Sequence, residues 1–449
     1  MGNLIALLIA VAVVAGGGLY VRRRFPAAFW LLAGLPVTWV RFRLTYASTM
    51  EACGLTVNPS RLRAFVVRHV ANGRPEPVPP RVRRVRPALT GLRVRLRLPA
   101  GLEPADVAAA TERLRHAWGV HAVHVTVVKP GTVELRMTGY DVLRRVRLPR
   151  RGLPTGPLVV PVALREDGTV FARDFRQVPH ALTVGANQSG KSMYQRNLIK
   201  ALAPLPVALA GIDCKHGVEQ SRFAPRLSAL ATNPDQASAL LEALEDEMQE
   251  RFELLELHQV SDIWDLPASS RPVPIVVFID EVAELFLATS KKDEERRDQM
   301  VTRLIRLAQM ARAIGIYLEV CGQRFGAELG KGATMLRAQL TGRVVHRVND
   351  KQTAEMGLGD IAPEATVAAT AIAPDRPGTA VAGDTSGGWS RIRTPATTLT
   401  EAAEVCREHA ALTPELPALA AFRPFVPATA EPAAPTGAIS LVKPRPVAD

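Results

Sequence analysis

Hydrophobic residues open the chain in two uncharged runs. The first, Leu4 to Tyr20, is long enough to cross a hydrocarbon core as a helix. The second, Ala27 to Val40, is shorter, contains Pro36 and carries a tryptophan near each end, which is typical of a membrane interface. A cleaved signal peptide fits poorly, because no positive segment precedes the first run. We predict a membrane anchor over residues 1–43, with two spans favoured over one span and an interfacial helix.

The next patterns predict a linker and a small domain. A helix and a stiff Pro/Arg linker are expected over residues 44–86. From Leu92 to Leu98, leucine or valine alternates with arginine, which predicts a half-buried strand with a basic outer face. A helix from Ala105 to Trp118 and two further strands, 120–128 and 132–137, complete a small basic α/β domain over residues 87–150.

Alternating strand and helix patterns then fill residues 151–395. Apolar runs bounded by turn residues predict strands, and apolar stripes at helical spacing predict helices between them. Predicted strands are Leu158–Val162, Thr169–Phe171, Val207–Asp213, Ile275–Asp280, Ile316–Cys321 and Arg343–His346; predicted helices are Pro234–Leu257 and Glu295–Ile314. Repeated βα units predict an α/β fold with a mainly parallel sheet covered on both faces. Over 396–449 we expect one helix, Leu399–Ala411, and a Pro/Ala-rich tail, disordered from about Thr413.

The charge of the chain indicates the class of partner that it binds. The 449 residues carry a net charge of +13, and residues 1–98 hold 16 Arg, no Lys and two acids. Such an excess favours an anionic partner, nucleic acid or a lipid surface, although biased coding is an alternative source of arginine. The cysteines, Cys53, Cys214, Cys321 and Cys406, are too scattered for a zinc site and predict reduced thiols in a cytosolic compartment.

The chemistry centres on residues 185–192, which follow the phosphate-loop pattern GxxxxGK[ST]. Glycines let the backbone turn and aim its N–H groups at phosphate oxygens. Lys191 can reach the β- and γ-phosphates, and Ser192 can place its hydroxyl on Mg²⁺. The predicted ATP-binding residues are Gly185, Ala186, Asn187, Gln188, Ser189, Gly190, Lys191 and Ser192.

Two acidic residues supply the expected hydrolytic machinery. Asp280 ends an apolar strand, which we place beside the phosphate-loop strand, and would hold Mg²⁺ with Ser192. Glu281 is the candidate general base for the attacking water. Gln323 follows the next strand and is a candidate sensor of the γ-phosphate, with a polar turn as the alternative. Arg343 is a candidate arginine finger, as is Arg347, with ordinary surface arginines as the equal alternative.

Co-linear motifs give the chain a family resemblance over roughly residues 85–390. Pro179–Ser192, Ile212–Lys215, the helix containing QERFELLELHQVSDI, PIVVFIDEVAEL, Arg306–Ile316 and Gly322–Arg324 together resemble the FtsK/SpoIIIE family of membrane-anchored DNA translocases. The resemblance implies a RecA-like motor, a homo-hexameric ring around double-stranded DNA, ATP bound between subunits, and a motor domain in the cytoplasm at the cell membrane, next to membrane lipid.

The order of the predicted domains makes this resemblance more specific. One small domain and a short anchor resemble the Tra transfer proteins of actinobacterial plasmids and integrative elements, which implies conjugative transfer. The usual family proline after Asp213 is Cys214 here, and the usual TQRP is residues 322–325, Gly-Gln-Arg-Phe. We find no winged-helix domain after Thr394, so orientation by DNA sequence would need a separate DNA-binding protein or would be absent. Chromosome partitioning, a type VII-like protein secretion ATPase and a non-hydrolysing adaptor are the alternatives.

Overall fold

A computed structural model describes residues 16–58, 76–149, 152–359, 361, 363–383 and 387–426. Within these ranges the strands form two separate sheets, one of four strands and one of ten. The smaller sheet belongs to the domain that follows the amino-terminal helices. The larger sheet carries the phosphate loop.

The amino-terminal segment is helical and packs against the small domain. Residues 16–24 are helical, followed by α1 (Pro26–Phe29), a π-helical turn at Trp30–Gly34, and α2 (Leu35–Ala52). The indole of Trp30 is buried, and a Cβ placed on Gly139 would lie 2.0 Å from its Cε3 atom, so ring and glycine are in direct contact. Phe42 of α2 is also buried and meets Trp118 edge to face, with ring centroids 5.1 Å apart.

These contacts bear on the predicted anchor. Most of the first run, residues 4–15, lies outside the described residues. The second run falls in the helices around Trp30, and no helix in the described ranges is long and apolar enough to cross a membrane. The second span over Ala27–Val40 stays a prediction, and the buried side of these helices packs on the small domain.

The small domain is an antiparallel sheet with helices on one face. Its strand order is β1-β2-β4-β3. The strands are β1 (Arg81–Pro87), β2 (Gly91–Arg97), β3 (Ala122–Lys129) and β4 (Thr132–Thr138), and the helices between β2 and β3 are α3 (Pro104–Ala109) and α4 (Thr111–Trp118). Buried side chains of α2 and α4, such as Met50 and Leu114, share one core with Leu92, Val94 and Leu96 of β2.

Two sequence-based boundaries change here. Part of the predicted Pro/Arg linker is β1, which pairs with β2 along its length. The small domain also begins earlier than residue 87, because α2 supplies part of its core. The single predicted helix from Ala105 to Trp118 is divided at Ala110, where the backbone of α3 ends and α4 begins.

The larger sheet has the order β6-β5-β14-β13-β12-β7-β11-β10-β8-β9. Strands from β12 to β9 in this order are parallel, and the flank from β13 to β6 is antiparallel. The strands are β5 (Val159–Arg165), β6 (Val170–Asp174), β7 (His180–Val184), β8 (Ala208–Ile212), β9 (Ala229–Ala231), β10 (Ile275–Ile279), β11 (Ile316–Gly322), β12 (Gly342–His346), β13 (Thr379–Gly383) and β14 (Trp389–Arg393). The mainly parallel α/β sheet predicted for this region is confirmed.

Helices cover both faces of this sheet, since its strands contribute to two apolar clusters. The helices are α5 (Lys191–Leu202), α6 (Pro234–Leu257), α7 (Ala283–Phe286), α8 (Lys291–Met310), α9 (Ala333–Gln339), α10 (Lys351–Leu358), α11 (Pro363–Thr370) and α12 (Leu399–Glu408). The helix predicted over Glu295–Ile314 begins earlier, because the Ser290 side chain caps it by accepting from the Asp293 N–H.

The carboxyl-terminal segment belongs to the motor core as far as residue 426. Cys406 of α12 is buried beside α5, and Leu419, in a short 3₁₀ helix at Pro417–Phe422, is buried beside α6. The predicted onset of disorder at Thr413 is therefore wrong, because these apolar side chains find partners on the motor. Residues 427–449 lie outside the described residues.

The buried contact at Gly139 gives a test of how α1 and α2 are held. A Gly139→Ala substitution places a methyl group against the Trp30 ring, so we expect it to destabilise the small domain by about 1–3 kcal/mol. Urea unfolding monitored by tryptophan fluorescence measures this. Gly17→Ala is the matched control, since no atom lies within 4 Å of the added Cβ. Equal stability of both variants and the wild type would contradict the packing.

Candidate ATP-binding and hydrolysis site

The phosphate loop connects β7 to α5 in a conformation that its glycines permit. Gly190 has φ of 104°, and a Cβ there would lie 2.1 Å from the backbone nitrogen of Gly378. A Cβ on Gly185 would lie 2.5 Å from the Ser189 hydroxyl oxygen. Since α5 begins at Lys191, its first backbone N–H groups have no intrahelical acceptor and form an anion-binding end. The loop therefore fits the phosphates of ATP.

The open side of the loop borders a cavity of about 390 Å³. Ala186 and Asn187 line one wall, and Gln323, Arg324 and Arg347 line another. Gln188 is exposed with φ of 59°, whereas Ser189 is buried. The predicted loop residues thus divide into an outer part that faces solvent and an inner part that packs on the protein.

Glu281 is the centre of the polar contacts beside the loop. Its Oε2 lies 3.2 Å from Nζ of Lys191 and 3.3 Å from Nζ of Lys215, and its Oε1 accepts the Gln323 backbone N–H at 3.1 Å. The Glu281 side chain is only 5 % exposed. A buried carboxylate needs such compensation, and for Glu281 two lysines provide it.

Strand order explains why residues so far apart in sequence meet here. β8, β10, β11 and β7 are parallel, so their carboxyl ends lie at one edge of the sheet. Glu281 and Lys215 follow β10 and β8, and Gln323 follows β11. The predicted adjacency of the Asp280 strand to the phosphate-loop strand is wrong: β11 lies between them, because β11 pairs in parallel with both.

Asp280 lies in an environment that disfavours its charged form. Burial raises its pKa to about 6, and the nearby Asp213 carboxylate adds to the rise. Asp213 is itself buried and accepts backbone N–H groups from Lys215, Glu219 and Gln220 at 3.1–3.2 Å. The Asp280 and Asp213 carboxylates lie near the ammonium groups of Lys191 and Lys215, and carboxylate oxygen is a ligand type that Mg²⁺ prefers. A magnesium ion held by Asp280 and Ser192 stays a prediction.

The structure places the predicted site residues Gln323 and Arg343 differently with respect to the site. Gln323 lies at the site through its backbone N–H, with its side chain exposed, and its sensor role stays a prediction. Arg343 is buried within β12, and its Nη2 donates to the Arg337 carbonyl at 2.8 Å. The prediction of Arg343 as a finger is contradicted, because a finger must reach a neighbouring subunit. Arg347 is half-buried and donates to the Asn187 carbonyl at 3.2 Å.

Sequence reasoning missed two residues of the site. Lys215 follows β8, and the signals for it were its place at a strand end and in the Ile212–Lys215 motif. His346 ends β12 behind the loop, where its Cβ would lie 2.8 Å from a Cβ on Gly185. Burial lowers the pKa of His346 to about 4, so the ring is neutral and its Nδ1 donates to the Thr379 carbonyl. No spacing pattern in the sequence marked this histidine.

The loop is also joined to the small domain through one short segment. The Gly378 N–H donates to the Ser189 carbonyl at 2.8 Å. Two residues earlier, Arg376 Nη1 lies 2.5 Å from Oδ2 of Asp141, which follows β4 in the small domain. Arg393 of β14 donates to the carbonyls of Pro377 and Leu143. The small domain therefore contacts the same segment that supports the phosphate loop.

Comparisons with known proteins agree with this site. Residues 13–139 match the actinomycete conjugal transfer protein N-terminal domain, and residues 153–269 and 265–327 match the FtsK/SpoIIIE family. The chain is 56% identical over 396 residues to the transfer protein TraSA of Streptomyces ambofaciens, which covers 86% of this chain and 95% of that protein. The chain belongs to the FtsK/SpoIIIE family, among its Tra proteins. Family membership and the phosphate loop make it an ATPase that binds ATP.

Two further relatives set the extent of the likeness. The DNA translocase FtsK of Streptococcus pneumoniae is 32% identical over 211 residues, 43% of this chain and 26% of that protein. The solved structure of the pCW3 conjugation coupling protein TcpA, a monomer form with ATPγS, superposes with a TM-score of 0.54 at 16% identity. It covers 77% of this chain and 98% of that chain, and it supports the mixed α/β fold.

The raised pKa of Asp280 predicts a pH-dependent stability. Its pKa lies above the usual 3.8 when folded, so the native state favours the protonated form, and stability is lost as pH rises from about 4 through about 6. Asp280→Asn removes this loss. Without nucleotide or metal, the variant should therefore be more stable than the wild type at neutral pH by up to about 3 kcal/mol, and the difference should vanish near pH 4.

Urea unfolding at several pH values in a chelator measures this difference. Asp246→Asn is the control, because Asp246 is exposed on α6. The assignment fails if Asp280→Asn is no more stable than Asp246→Asn at neutral pH.

Proposed function

We propose that the chain hydrolyses ATP to move double-stranded DNA through a hexameric ring during conjugal transfer. The observation that carries this proposal is the 56% identity to transfer protein TraSA over 95% of that protein's length. The relatives named as DNA translocases support DNA as the moving polymer. The buried Glu281 beside the phosphate loop supports hydrolysis rather than nucleotide binding alone.

The site residues suggest how hydrolysis begins. Asp280 and Ser192 would hold Mg²⁺, which neutralises phosphate charge. The same Lys191 ammonium that contacts Glu281 is the group that binds the β- and γ-phosphates. Phosphate binding then draws Lys191 from Glu281 and leaves Lys215 as its cationic neighbour. Glu281, freed on one side, orients and deprotonates the attacking water.

The proposal also includes the location of the motor and its partners. The uncharged run Leu4–Tyr20 supports an anchor in membrane lipid at the cell membrane, with the motor domain in the cytoplasm, where ATP is available. A homo-hexamer would enclose DNA, and a separate DNA-binding protein would supply sequence recognition.

Replacing Glu281 tests hydrolysis directly. Glu281→Gln should leave ATP binding intact and lower DNA-stimulated ATP turnover by at least about 100-fold, because a general base is removed. Lys191→Ala should weaken ATP binding as well. Glu284→Gln is the matched control, since Glu284 lies one turn further on in α7. Normal turnover in Glu281→Gln would refute the assigned site, and wild-type hydrolysis indifferent to DNA would refute the function.

The anchor is tested by removing it. A variant lacking residues 1–21 should move from the membrane fraction to the soluble fraction, because the uncharged run is lost. Its DNA-stimulated hydrolysis should persist, since the catalytic residues lie beyond residue 184. Flotation of cell lysates in a density gradient measures the partition. A full-length chain that does not float with membranes would contradict the anchor.

A further inference from the structure

The outer face of the small sheet carries paired arginines on its first two strands. Cross-strand partners are Arg81 and Arg97, Arg84 and Arg95, and Arg86 and Arg93. We call these six residues the arginine ladder. All are exposed except Arg95, whose side chain is 40 % exposed. Alternate positions along a strand lie about 7 Å apart, so the ladder is a compact grid of positive charge.

A bulge in β1 creates this register. Arg83 is the extra residue, because Val82 pairs with Leu96 and Arg84 pairs with Arg95. The bulge lets Val85 face the core opposite Val94 while Arg84 and Arg86 face outward. If Arg83 paired regularly instead of bulging, Arg84 and Arg86 would turn to the core side.

Repulsion among the arginines makes the ladder electrostatically unfavourable unless an anion is bound to it. Like charges directly opposite each other on neighbouring strands repel and destabilise a sheet. Among the described residues, Arg95 is the one member of the ladder that forms an ion pair with a carboxylate: its Nε lies 2.9 Å from Oε2 of Glu134. Charges on β1 can be explained as protection of an exposed sheet edge. This explanation does not apply to the arginines of β2, because β2 is paired on both sides. A polyanion bound across both strands removes the repulsion.

The other half of the same face contacts the motor domain. The row that begins with Arg86 and Arg93 continues through Arg136 of β4. Arg136 Nη1 lies 2.9 Å from Oδ2 of Asp167, in the β5–β6 turn. A polyanion on the ladder would therefore lie beside the motor.

The position of the ladder favours DNA over lipid. The helices α2 and α4 cover the opposite face of the sheet, and the exposed leucine and valine side chains of the amino-terminal helices, such as Leu32 and Leu44, lie on that helical side. The cross-strand neighbours of the ladder on β4 and β3 are all polar or charged, among them Thr132 and Lys129, so these rows present no apolar side chain to a bilayer.

We propose that the arginine ladder binds the phosphate backbone of double-stranded DNA beside the motor domain, without reading its sequence. This rests on the proposed function, in which DNA is the polymer that moves. Arginine contacts to phosphate are independent of sequence and release counterions, so binding weakens steeply with salt. The ladder adds a grip on DNA outside the ATP-hydrolysing domain.

The test compares three full-length variants. The ladder variant is Arg84→Gln, Arg93→Gln and Arg97→Gln; a charge-preserving variant has lysine at the same positions; and the control is Arg113→Gln, Arg222→Gln and Arg407→Gln, all exposed elsewhere. Fluorescence anisotropy over a salt titration, with two unrelated duplexes, gives affinity and salt dependence. Thermal unfolding without DNA reports on folding.

We expect the ladder variant to bind both duplexes on the order of 10–100-fold more weakly near physiological salt, with a salt slope smaller by about three. The lysine variant and the control should bind like the wild type. Without DNA, the ladder variant should be at least as stable as the wild type, because like charges have been removed.

Three results overturn the inference. Unchanged affinity and slope in the ladder variant would do so while leaving DNA-stimulated hydrolysis, and so the proposed function, intact. A ladder variant that keeps DNA binding but no longer sediments with phosphatidylglycerol vesicles would assign the face to lipid. A wild type that neither binds DNA nor is stimulated by it would remove the proposed function together with the ladder's role.

Discussion

The ATP site depends on the contact between Lys191 and Glu281. Their charged atoms, 3.2 Å apart and shielded from solvent, join the phosphate loop to the end of β10. The pair lies 90 residues apart in sequence, so it exists only when β7, β11 and β10 take their places in the sheet. Removing Glu281 would leave the shielded Lys191 ammonium without this carboxylate, which is costly, whereas removing Lys191 would leave Glu281 paired with Lys215 alone. The ion pair therefore forms only when the sheet is correctly folded, and it lies in the ATP site itself.

Much of the motor could be predicted because its signals are local. The phosphate loop needs glycines where the backbone is left-handed or tightly packed, and Gly190 meets both conditions. The strands preceding Asp280 and Gln323 are short apolar runs, which a fully buried parallel strand requires. Their order in the sheet is not local: no pattern in the sequence states that β11 separates β7 from β10.

The errors have equally physical sources. Arg343 is an arginine near a strand end in sequence, but it lies inside β12 with its guanidinium on a backbone carbonyl, and only the packing distinguishes these cases. Segment Arg81–Pro87 resembled a linker because prolines surround it and a bulge interrupts its alternation. Lys215 belongs to the Ile212–Lys215 motif but received no role in the site, because its contact with Glu281 is seen only when β8 and β10 are side by side.

The short segment around Gly378 has a mechanical consequence. It touches the phosphate loop at Ser189 and the small domain at Asp141, and Pro377 between these contacts limits backbone freedom. Arg376, Pro377 and Gly378 thus form a path of three residues from the phosphate loop to the small domain, in addition to the direct contact of Arg136 with Asp167. The arginine-bearing sheet is therefore joined to the motor at the segment that supports the nucleotide site as well as at the β5–β6 turn.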